Sequence, residues 1–267
     1  MSPPATRREK YPIMMKKSPT HPLRARFAKD IVAEVILPIQ QTGRVAIFAG
    51  GLPSSPNKGS LLRFLARQGY VAIYPRYRGT WESDGFFLER SPTQDIRDVI
   101  DDLAKNKGFT DIATGEFQKI KVSAIHLFGS SFGGPAVILN SYPPIVKKII
   151  ALAPVLDWHS VEKTEPQKSH IRFVEAGFGG AYRLRHKSDW KKLLKTDFYN
   201  PSAHTKTIIG KKIFILHCAD DTVVPSAPIR SFAEKTGAAY YLKPKGGHAI
   251  NITHLFFWKK ISAFVNT

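Results

Sequence analysis

The sequence predicts an α/β fold, in which a mostly parallel central sheet is covered by helices on both faces. From about Asp30 onward, short apolar stretches alternate with stretches of helical periodicity, and this alternation is typical of successive βαβ units. Some of the short stretches, such as residues 70–74, are apolar throughout, as expected of strands buried on both faces. The 267 residues are enough for one large domain of this kind.

The first half of the chain contains clear starts and stops of elements. Gly69 ends a stretch of helical apolar spacing, and Ser91 followed by Pro92 is a typical helix start. The predicted elements of this half are strands at 31–37 and 44–48, a helix at 61–68, a strand at 70–74 and a helix from 91.

The second half continues the alternation but contains one long interruption. The predicted elements are a strand at 122–128, a helix at 132–140, strands at 148–152 and 213–217, a helix at 225–236, a strand at 239–242 and a helix at 250–264. The interruption, at about 157–209, is polar and basic with interleaved aromatic residues, and it is too long for an ordinary connection. We therefore expect it to form helices of its own that cap the strand ends. Residues 1–22, rich in proline and basic residues, are predicted to be a mobile basic tail, and 23–267 a single domain with this cap insertion.

Charge is the unusual feature of the composition. The chain has 40 Lys and Arg against 21 Asp and Glu, a net charge of +19. The basic residues are scattered in short runs and form no zinc-finger, basic-zipper or aromatic RNA-binding pattern, so nucleic-acid binding is unlikely. Within 157–212 the excess is twelve basic against six acidic residues. One hypothesis is that this excess attracts anionic substrates, chiefly through Arg183 and Arg185; the alternative is a solvated surface.

Other function classes are disfavoured by the sequence alone. The single cysteine, Cys218, allows neither an intramolecular disulfide nor a cysteine-rich zinc site, and the histidines show no spacing typical of metal ligands. No apolar stretch is long enough to span a bilayer, and the first residues lack the apolar core of a secretory signal. The sequence therefore predicts a cytoplasmic protein without metal or cofactor.

The motif most suggestive of chemistry is Gly129-Ser-Ser131-Phe-Gly133-Gly134. It follows a predicted strand and precedes a predicted helix, which is the context that gives Gly-x-Ser-x-Gly its meaning. Such a tight turn presents a serine hydroxyl at the carboxyl edge of the sheet, and glycines two residues to either side avoid backbone clashes. Ser131 is the candidate nucleophile.

A serine nucleophile needs a base, and the base needs a carboxylate. His248 follows the last predicted strand, and Asp220 and Asp221 follow the strand before it, so all three lie at the same sheet edge as Ser131. The chain order Ser131, Asp221, His248 is that expected of an α/β-hydrolase.

Over about residues 30–264 the sequence resembles the α/β-hydrolase superfamily, most closely the catalytic domains of prolyl-oligopeptidase-type peptidases and related esterases. The resemblance rests on the serine motif, on His217-Cys-Ala-Asp-Asp221-Thr-Val-Val-Pro225 and on Gly247-His248. It implies an α/β-hydrolase fold, here with the predicted helical cap insertion, and places the acid on Asp221 rather than Asp220. It also implies that Arg78, in the loop after the strand at 70–74, organises that loop.

The resemblance further implies an oxyanion hole made of backbone N–H groups. One donor is expected from Phe132, next to the nucleophile, and the other from Gly51, with Leu52 as the alternative. Ala49 stands where the family usually has histidine, which does not affect backbone donors.

Together these residues predict a serine hydrolase that cleaves a small-molecule ester, or a thioester or amide, through an acyl-enzyme. An esterase is favoured because prolyl-oligopeptidase-type peptidases carry a large additional domain, for which 267 residues leave no room. The alternatives are a small serine peptidase of that type and a non-catalytic ligand-binding protein with the same fold.

Overall fold

The computed structural model describes residues 22–164 and 166–267. Its strands are β1 (Leu23–Phe27), β2 (Ile31–Ile36), β3 (Arg44–Ala49), β4 (Tyr70–Pro75), β5 (Gly108–Asp111), β6 (Phe117–Lys119), β7 (Ala124–Ser130), β8 (Val146–Leu152), β9 (Ile213–Cys218) and β10 (Ala239–Lys243). Its α-helices are α1 (Gly59–Arg67), α2 (Pro92–Asn106), α3 (Gly133–Ile138), α4 (Trp158–Thr164), α5 (Gln167–Phe178), α6 (Pro228–Thr236) and α7 (Leu255–Val265).

The ten strands form one sheet in the order β10-β9-β8-β7-β3-β4-β2-β1-β5-β6. The strands from β10 to β4 pair in parallel, whereas β2, β1, β5 and β6 extend the sheet with antiparallel pairs. The strand order changes direction between β3 and β7, where ligands bind in open α/β sheets. The predicted α/β-hydrolase fold is therefore confirmed, with a sheet that is parallel in its central part and mixed as a whole.

Side chains of each central strand alternate between two apolar cores. In β3, Val45 and Ile47 pack with residues of α2, α3 and α6, whereas Ala46 and Phe48 pack with residues of α1 and α7. A strand buried on both faces must be apolar at nearly every position, which explains the continuous apolar runs of the sequence.

The antiparallel extension was only partly predicted. β1 lies directly after the predicted tail, and its alternating Leu-Arg-Ala-Arg-Phe pattern is typical of a strand with one buried face. β5 and β6 form a short hairpin, and β6 is too short and exposed to produce an apolar run. The last helix begins at Leu255 rather than at residue 250, because His254 caps it by accepting a hydrogen bond from Phe256 N–H. The predicted tail, residues 1–22, lies outside the described residues except for Pro22.

The loop after β4 is held by ion pairs around Arg78. Its guanidinium contacts carboxylate oxygens of Asp30, Asp95 and Asp98, each at 2.7 Å, and its backbone N–H donates to Asp95. Arg78 is half-buried beside α2, so the expectation that it organises this loop is confirmed.

Residues 157–209, which we call the cap segment, lie between β8 and β9. They contain α4, α5 and short 3-10 turns, of which Lys187–Leu194 is the longest. The expected helices of the insertion are therefore present. Among the described residues, no helix combines the length and apolarity required to cross a bilayer.

A buried histidine in β7 predicts a pH dependence of stability. His126 is 4% exposed and its Nδ1 lies 2.9 Å from the hydroxyl of Tyr70. Burial, with further contributions from Arg44 and Lys148, lowers the pKa of His126 from 6.5 to about 4. The folded protein thus remains unprotonated here at pH values at which the unfolded chain binds a proton.

We expect the free energy of unfolding to fall as the pH drops from 6.5 toward 4, with His126 contributing up to about 1.4 kcal/mol per pH unit. His126→Gln keeps an acceptor for Tyr70 but does not titrate, so its loss of stability with acid should be shallower by this amount. Urea unfolding at several pH values measures the difference, and His159→Gln, at an exposed histidine, is the control. Equal slopes in wild type and His126→Gln would contradict the assignment.

Candidate active site

Ser131 lies on the turn between β7 and α3, in the left-handed backbone region. Its φ is +52°, a conformation that residues other than glycine and asparagine adopt rarely. Its N–H donates to Leu152 O at 2.9 Å, and its carbonyl accepts from Gly134 and Val155 N–H groups. The neighbouring strand β8 and the first turn of α3 thus hold the strained residue in place.

The two glycines of the motif allow this turn to pack. A Cβ on Gly129 would lie 2.4 Å from the carbonyl oxygen of Gly133. A Cβ on Gly133 would lie 2.2 Å from the carbonyl oxygen of Ala49. Both distances are impossible for a side chain, so the sequence pattern reflects close backbone packing around the serine.

Asp221 and His248 are brought into direct contact by two loops at the carboxyl edge of the sheet. Asp221 follows β9, and His248 lies between β10 and α7. His248 Nδ1 lies 2.7 Å from Asp221 Oδ2, and the aspartate side chain is fully buried. The second carboxylate oxygen accepts hydrogen bonds from the N–H groups of Val223 and Val224 at 2.9 and 3.0 Å. A proton on Nδ1 leaves Nε2 as the basic nitrogen of His248.

Asp220, the other carboxylate of this loop, has a different set of contacts. It is exposed and accepts hydrogen bonds from the N–H groups of Gly246 and Gly247. These hydrogen bonds lower the pKa of Asp220. Asp220 therefore holds the loop that carries His248 but does not contact the imidazole.

His217 is a contact of Asp221 that the sequence analysis did not assign. Its Nε2 lies 2.9 Å from Val224 O and 3.1 Å from Asp221 Oδ2. Because a carbonyl oxygen only accepts, this nitrogen carries the proton and donates to the carboxylate as well. Burial lowers the pKa of His217, which favours the neutral ring. The His-x-x-x-Asp spacing at the end of a buried strand is the signal that could have indicated this contact.

Ser131 and His248 line the same cavity. Among the residues that the structure describes, which include both of these, no hydrogen bond joins Ser131 Oγ to His248. Catalytic hydrogen bonds are commonly long in ligand-free enzymes and shorten in the substrate complex. The structure thus brings all three predicted residues to one site, with Asp221 and His248 hydrogen-bonded and Ser131 on the same wall.

Three backbone N–H groups beside the serine have no acceptor. Within residues 22–164 and 166–267, the N–H groups of Gly51, Leu52 and Phe132 donate to no protein group. Unpaired N–H groups are rare in protein interiors, and a cluster of them beside a serine suits the binding of an oxyanion. Leu52 lines the cavity together with Ser131 and Phe132, whereas Gly51 is not part of its wall.

The cavity encloses about 780 Å³ of empty space, including its open mouth. Its walls are mostly apolar. Helices α4 and α5 and the Lys187–Leu194 turn contribute Trp158, Val161, Ile171, Phe173, Trp190 and Leu193. The polar groups apart from Ser131 and His248 are Glu162, Gln167 and His170. Sequence analysis identified the aromatic character of the cap segment but not which of its residues face the serine, because that depends on how the segment folds back over the sheet.

Arg183 and Arg185 of the cap segment bond to residues outside the cavity. Arg183 donates to the carbonyl oxygens of Trp81 and Ser83, and Arg185 pairs with Glu89 at 2.7 Å. Neither residue lines the cavity. These contacts favour the alternative that the two arginines serve to attach the cap segment to the loop after β4, and attraction of anionic substrates stays a prediction.

Other reactive groups lie outside this arrangement. Cys218 is buried at the end of β9, and burial raises the pKa of its thiol. Among the described residues, no group of three or more histidine, cysteine or acidic side chains has an arrangement suited to a metal ion.

Comparison with solved structures gives the same fold at low sequence identity. An esterase of Pyrococcus furiosus superimposes with a TM-score of 0.67 at 16% identity, over 92% of this chain and 90% of that one. A predicted CIB-like hydrolase of Thermoplasma acidophilum gives 0.55 at 18% identity, over 92% and 98% of the two chains. An acylaminoacyl peptidase of Pyrococcus horikoshii gives 0.59 at 19% identity, and 92% of this chain covers 40% of that protein.

Comparison at the level of sequence identifies a family. No curated protein matches the sequence. A model of the X-Pro dipeptidyl-peptidase (S15) family matches residues 1–171, which is more than half of the chain and includes the strained serine turn. The chain is a serine hydrolase with the α/β-hydrolase fold and belongs to the X-Pro dipeptidyl-peptidase (S15) family.

Proposed function

We propose that this protein hydrolyses carboxylic esters through an acyl-enzyme formed on Ser131, with His248 as the base and Asp221 as its orienting carboxylate. The observation that carries the proposal is the 2.7 Å contact between Asp221 and His248 on the cavity that also contains the strained Ser131. A serine becomes a useful nucleophile at neutral pH only when such a base is within reach.

The proposed reaction has two halves. Ser131 Oγ attacks the ester carbonyl carbon while His248 Nε2 accepts its proton, and the imidazolium then gives that proton to the leaving alcohol. Water repeats the sequence on the acyl-enzyme and releases the acid. Asp221 keeps the proton on Nδ1 and stabilises the imidazolium in both halves.

The oxyanion formed in each half is proposed to bind to backbone N–H groups. Phe132 supplies one donor, and the turn at 51–52 supplies the other. Leu52 is favoured as the second donor because it lies in the cavity wall with Ser131, and Gly51, one residue earlier in the turn, is the alternative. Two such donors aimed at the developing charge account for a large part of catalysis in serine hydrolases.

The cavity supports an apolar acyl group as the preferred part of the substrate. We propose that residues 157–209 act as a cap within a single domain of residues 23–267, because α4 and α5 line the cavity above Ser131. Few polar groups are available there to pair with the backbone of a peptide. This lining favours a small-molecule ester over a peptide.

A second candidate, cleavage of dipeptides from a peptide with proline in the second position, is favoured by one further observation. The family is named for this activity, and the carboxylate of Glu162 in the cavity wall could pair with a peptide amino terminus. Comparing p-nitrophenyl esters with an aminoacyl-prolyl p-nitroanilide distinguishes the two. A kcat/KM for the anilide that exceeds that for the best ester, and that is lost in Glu162→Gln, would favour the peptidase.

Two other expectations from the sequence stay predictions. They are the cytoplasmic location and the absence of a nucleic-acid partner.

Replacing the nucleophile or base should abolish turnover. Ser131→Ala and His248→Ala are each expected to lower kcat by on the order of 10⁵-fold or more, because the residues of a triad act as one unit. Hydrolysis of a p-nitrophenyl ester and labelling with a fluorophosphonate measure the effect, with circular dichroism as the control for folding. Labelling that persists in Ser131→Ala would contradict the assignment, and an unlabelled wild type would indicate a non-catalytic binding protein.

The two aspartates are separated by a matched pair of variants. Asp221→Asn should lower kcat by roughly 10⁴-fold, because an amide favours the wrong tautomer of His248. Asp220→Asn keeps an acceptor for Gly246 and Gly247 and should lower kcat much less. An equal or larger loss in Asp220→Asn would reverse the assignment.

The rate of hydrolysis should depend on the length of the acyl chain that the cavity binds. We expect kcat/KM to rise from p-nitrophenyl acetate to the octanoate, because each buried methylene contributes roughly 0.8 kcal/mol. Val161→Phe, in α4, fills part of the cavity. It should shift the preference toward shorter acyl chains while leaving the rate with acetate near the wild-type value. A flat chain-length profile in wild type would contradict an acyl-binding role for this cavity.

A further inference from the structure

Two buried tyrosines pack against the Phe132 ring, next to the proposed donors of the oxyanion hole. Tyr77, from the loop after β4, donates its hydroxyl to the carbonyl oxygen of Gly50 at 2.9 Å. Tyr199, from the cap segment, donates to the carbonyl oxygen of Phe132 at 2.6 Å. The proposed site therefore has one tyrosine hydroxyl bound to each of the two backbone segments that supply its N–H donors.

The bonded carbonyls are close in the chain to the proposed donors. Gly50 O and the Gly51 N–H belong to one planar peptide, and the Leu52 N–H belongs to the next, so a bond to Gly50 O restricts the orientation of this turn. Phe132 O and the Phe132 N–H flank a single φ, ψ pair, which is −49° and −38°. Holding the carbonyl of Phe132 therefore restricts the direction of its N–H.

The surroundings of the two hydroxyls keep them as donors. Tyr199 and Phe132 are 0% and 1% exposed, and Tyr77 is 6% exposed. The ring of Phe132 lies 5.5 Å from that of Tyr77 and 5.0 Å from that of Tyr199. Burial raises the pKa of both phenols well above its ordinary value, so both remain protonated at neutral pH.

We propose that Tyr77 and Tyr199 are positioning residues that fix the separation of the two backbone donors of the oxyanion hole. The inference rests on the proposed function. It also gives the cap segment a role in the reaction itself, because Tyr199 connects this segment to the residue that follows the nucleophile.

A packing role for the two rings makes a different prediction. Phenylalanine at either position keeps the ring contacts and removes only the oxygen that bonds the backbone carbonyl. If the hydroxyls orient the donors, their loss weakens binding of the transition state, in which the oxyanion exists, and hardly changes binding of the substrate. If the tyrosines only pack, kcat remains at the wild-type value.

The test compares Tyr77→Phe, Tyr199→Phe and the double variant with Tyr74→Phe as control. The hydroxyl of Tyr74 bonds Ser54 Oγ at 2.8 Å and donates to Ser55 O at 3.4 Å, so its partners are close in the chain to the proposed donors but are neither Gly50 O nor Phe132 O. For one p-nitrophenyl ester, we expect each test variant to lower kcat by roughly 10- to 100-fold with KM nearly unchanged, since small misplacements of catalytic groups cost rates of this order. Tyr74→Phe should keep the wild-type kcat.

A transition-state analogue provides a second readout. A trifluoromethyl ketone forms a bond from its carbonyl carbon to Ser131 Oγ, and the serine proton moves to His248 while the negative oxygen occupies the hole. Its affinity should fall in parallel with kcat. The corresponding alcohol, which fills the cavity without forming an oxyanion, should bind all variants equally well. In the double variant the loss should be smaller than the product of the single losses, because both hydroxyls act on one hole.

Unchanged kcat in both single variants, or equal losses for the ketone and the alcohol, would overturn the proposal. If Tyr199→Phe does not fold, Tyr77→Phe tests the proposal by itself. The proposed function is tested separately with the wild type. If its turnover requires Ser131 but the tyrosine variants keep the wild-type kcat, only this inference is rejected. A wild type without turnover or labelling would reject the function.

Discussion

The turn that carries Ser131 is strained, and much of the surrounding structure compensates for that strain. A serine with φ of +52° is unfavourable by itself, so the chain must fix it from several sides. Strand β8 accepts its N–H, α3 begins directly after it, and two glycines permit backbone contacts that no side chain would allow. Central parallel strands supply this rigidity because they are hydrogen-bonded on both edges and covered on both faces.

The loop after β4 connects the cap segment to the rest of the domain. Arg78 fixes the loop to α2 and to Asp30, and the loop in turn accepts hydrogen bonds from Arg183 and pairs Thr80 with Tyr182. The cap segment is thus bound to the domain through backbone and charged contacts, while apolar residues of α4, α5 and the Lys187–Leu194 turn line the cavity. Arg183 and Arg185 thus help to hold the cap segment on the domain.

Local patterns in the sequence predicted the central sheet and the candidate residues Ser131, Asp221 and His248, because each of these depends on short-range signals. Continuous apolar runs marked the buried strands, and the glycines around Ser131 marked the turn. The contact between His217 and Asp221 and the cavity wall were not predicted, because they arise where distant loops meet. Strand β6 was missed for a different reason: its three residues are mostly exposed and carry no apolar signal.

The carboxylate of Asp221 is shared by two imidazoles through the same oxygen, Oδ2. A neutral His217 donates to this oxygen without adding a positive charge, so the negative charge of Asp221 remains available to His248. The neighbouring His248 contributes to lowering the pKa of His217, after the larger effect of burial. Burial therefore favours the neutral form of His217, in which its Nε2–H is a fixed donor to Asp221. In the proposed mechanism, the one carboxylate charge of this buried site is thus directed at the imidazole that lines the cavity.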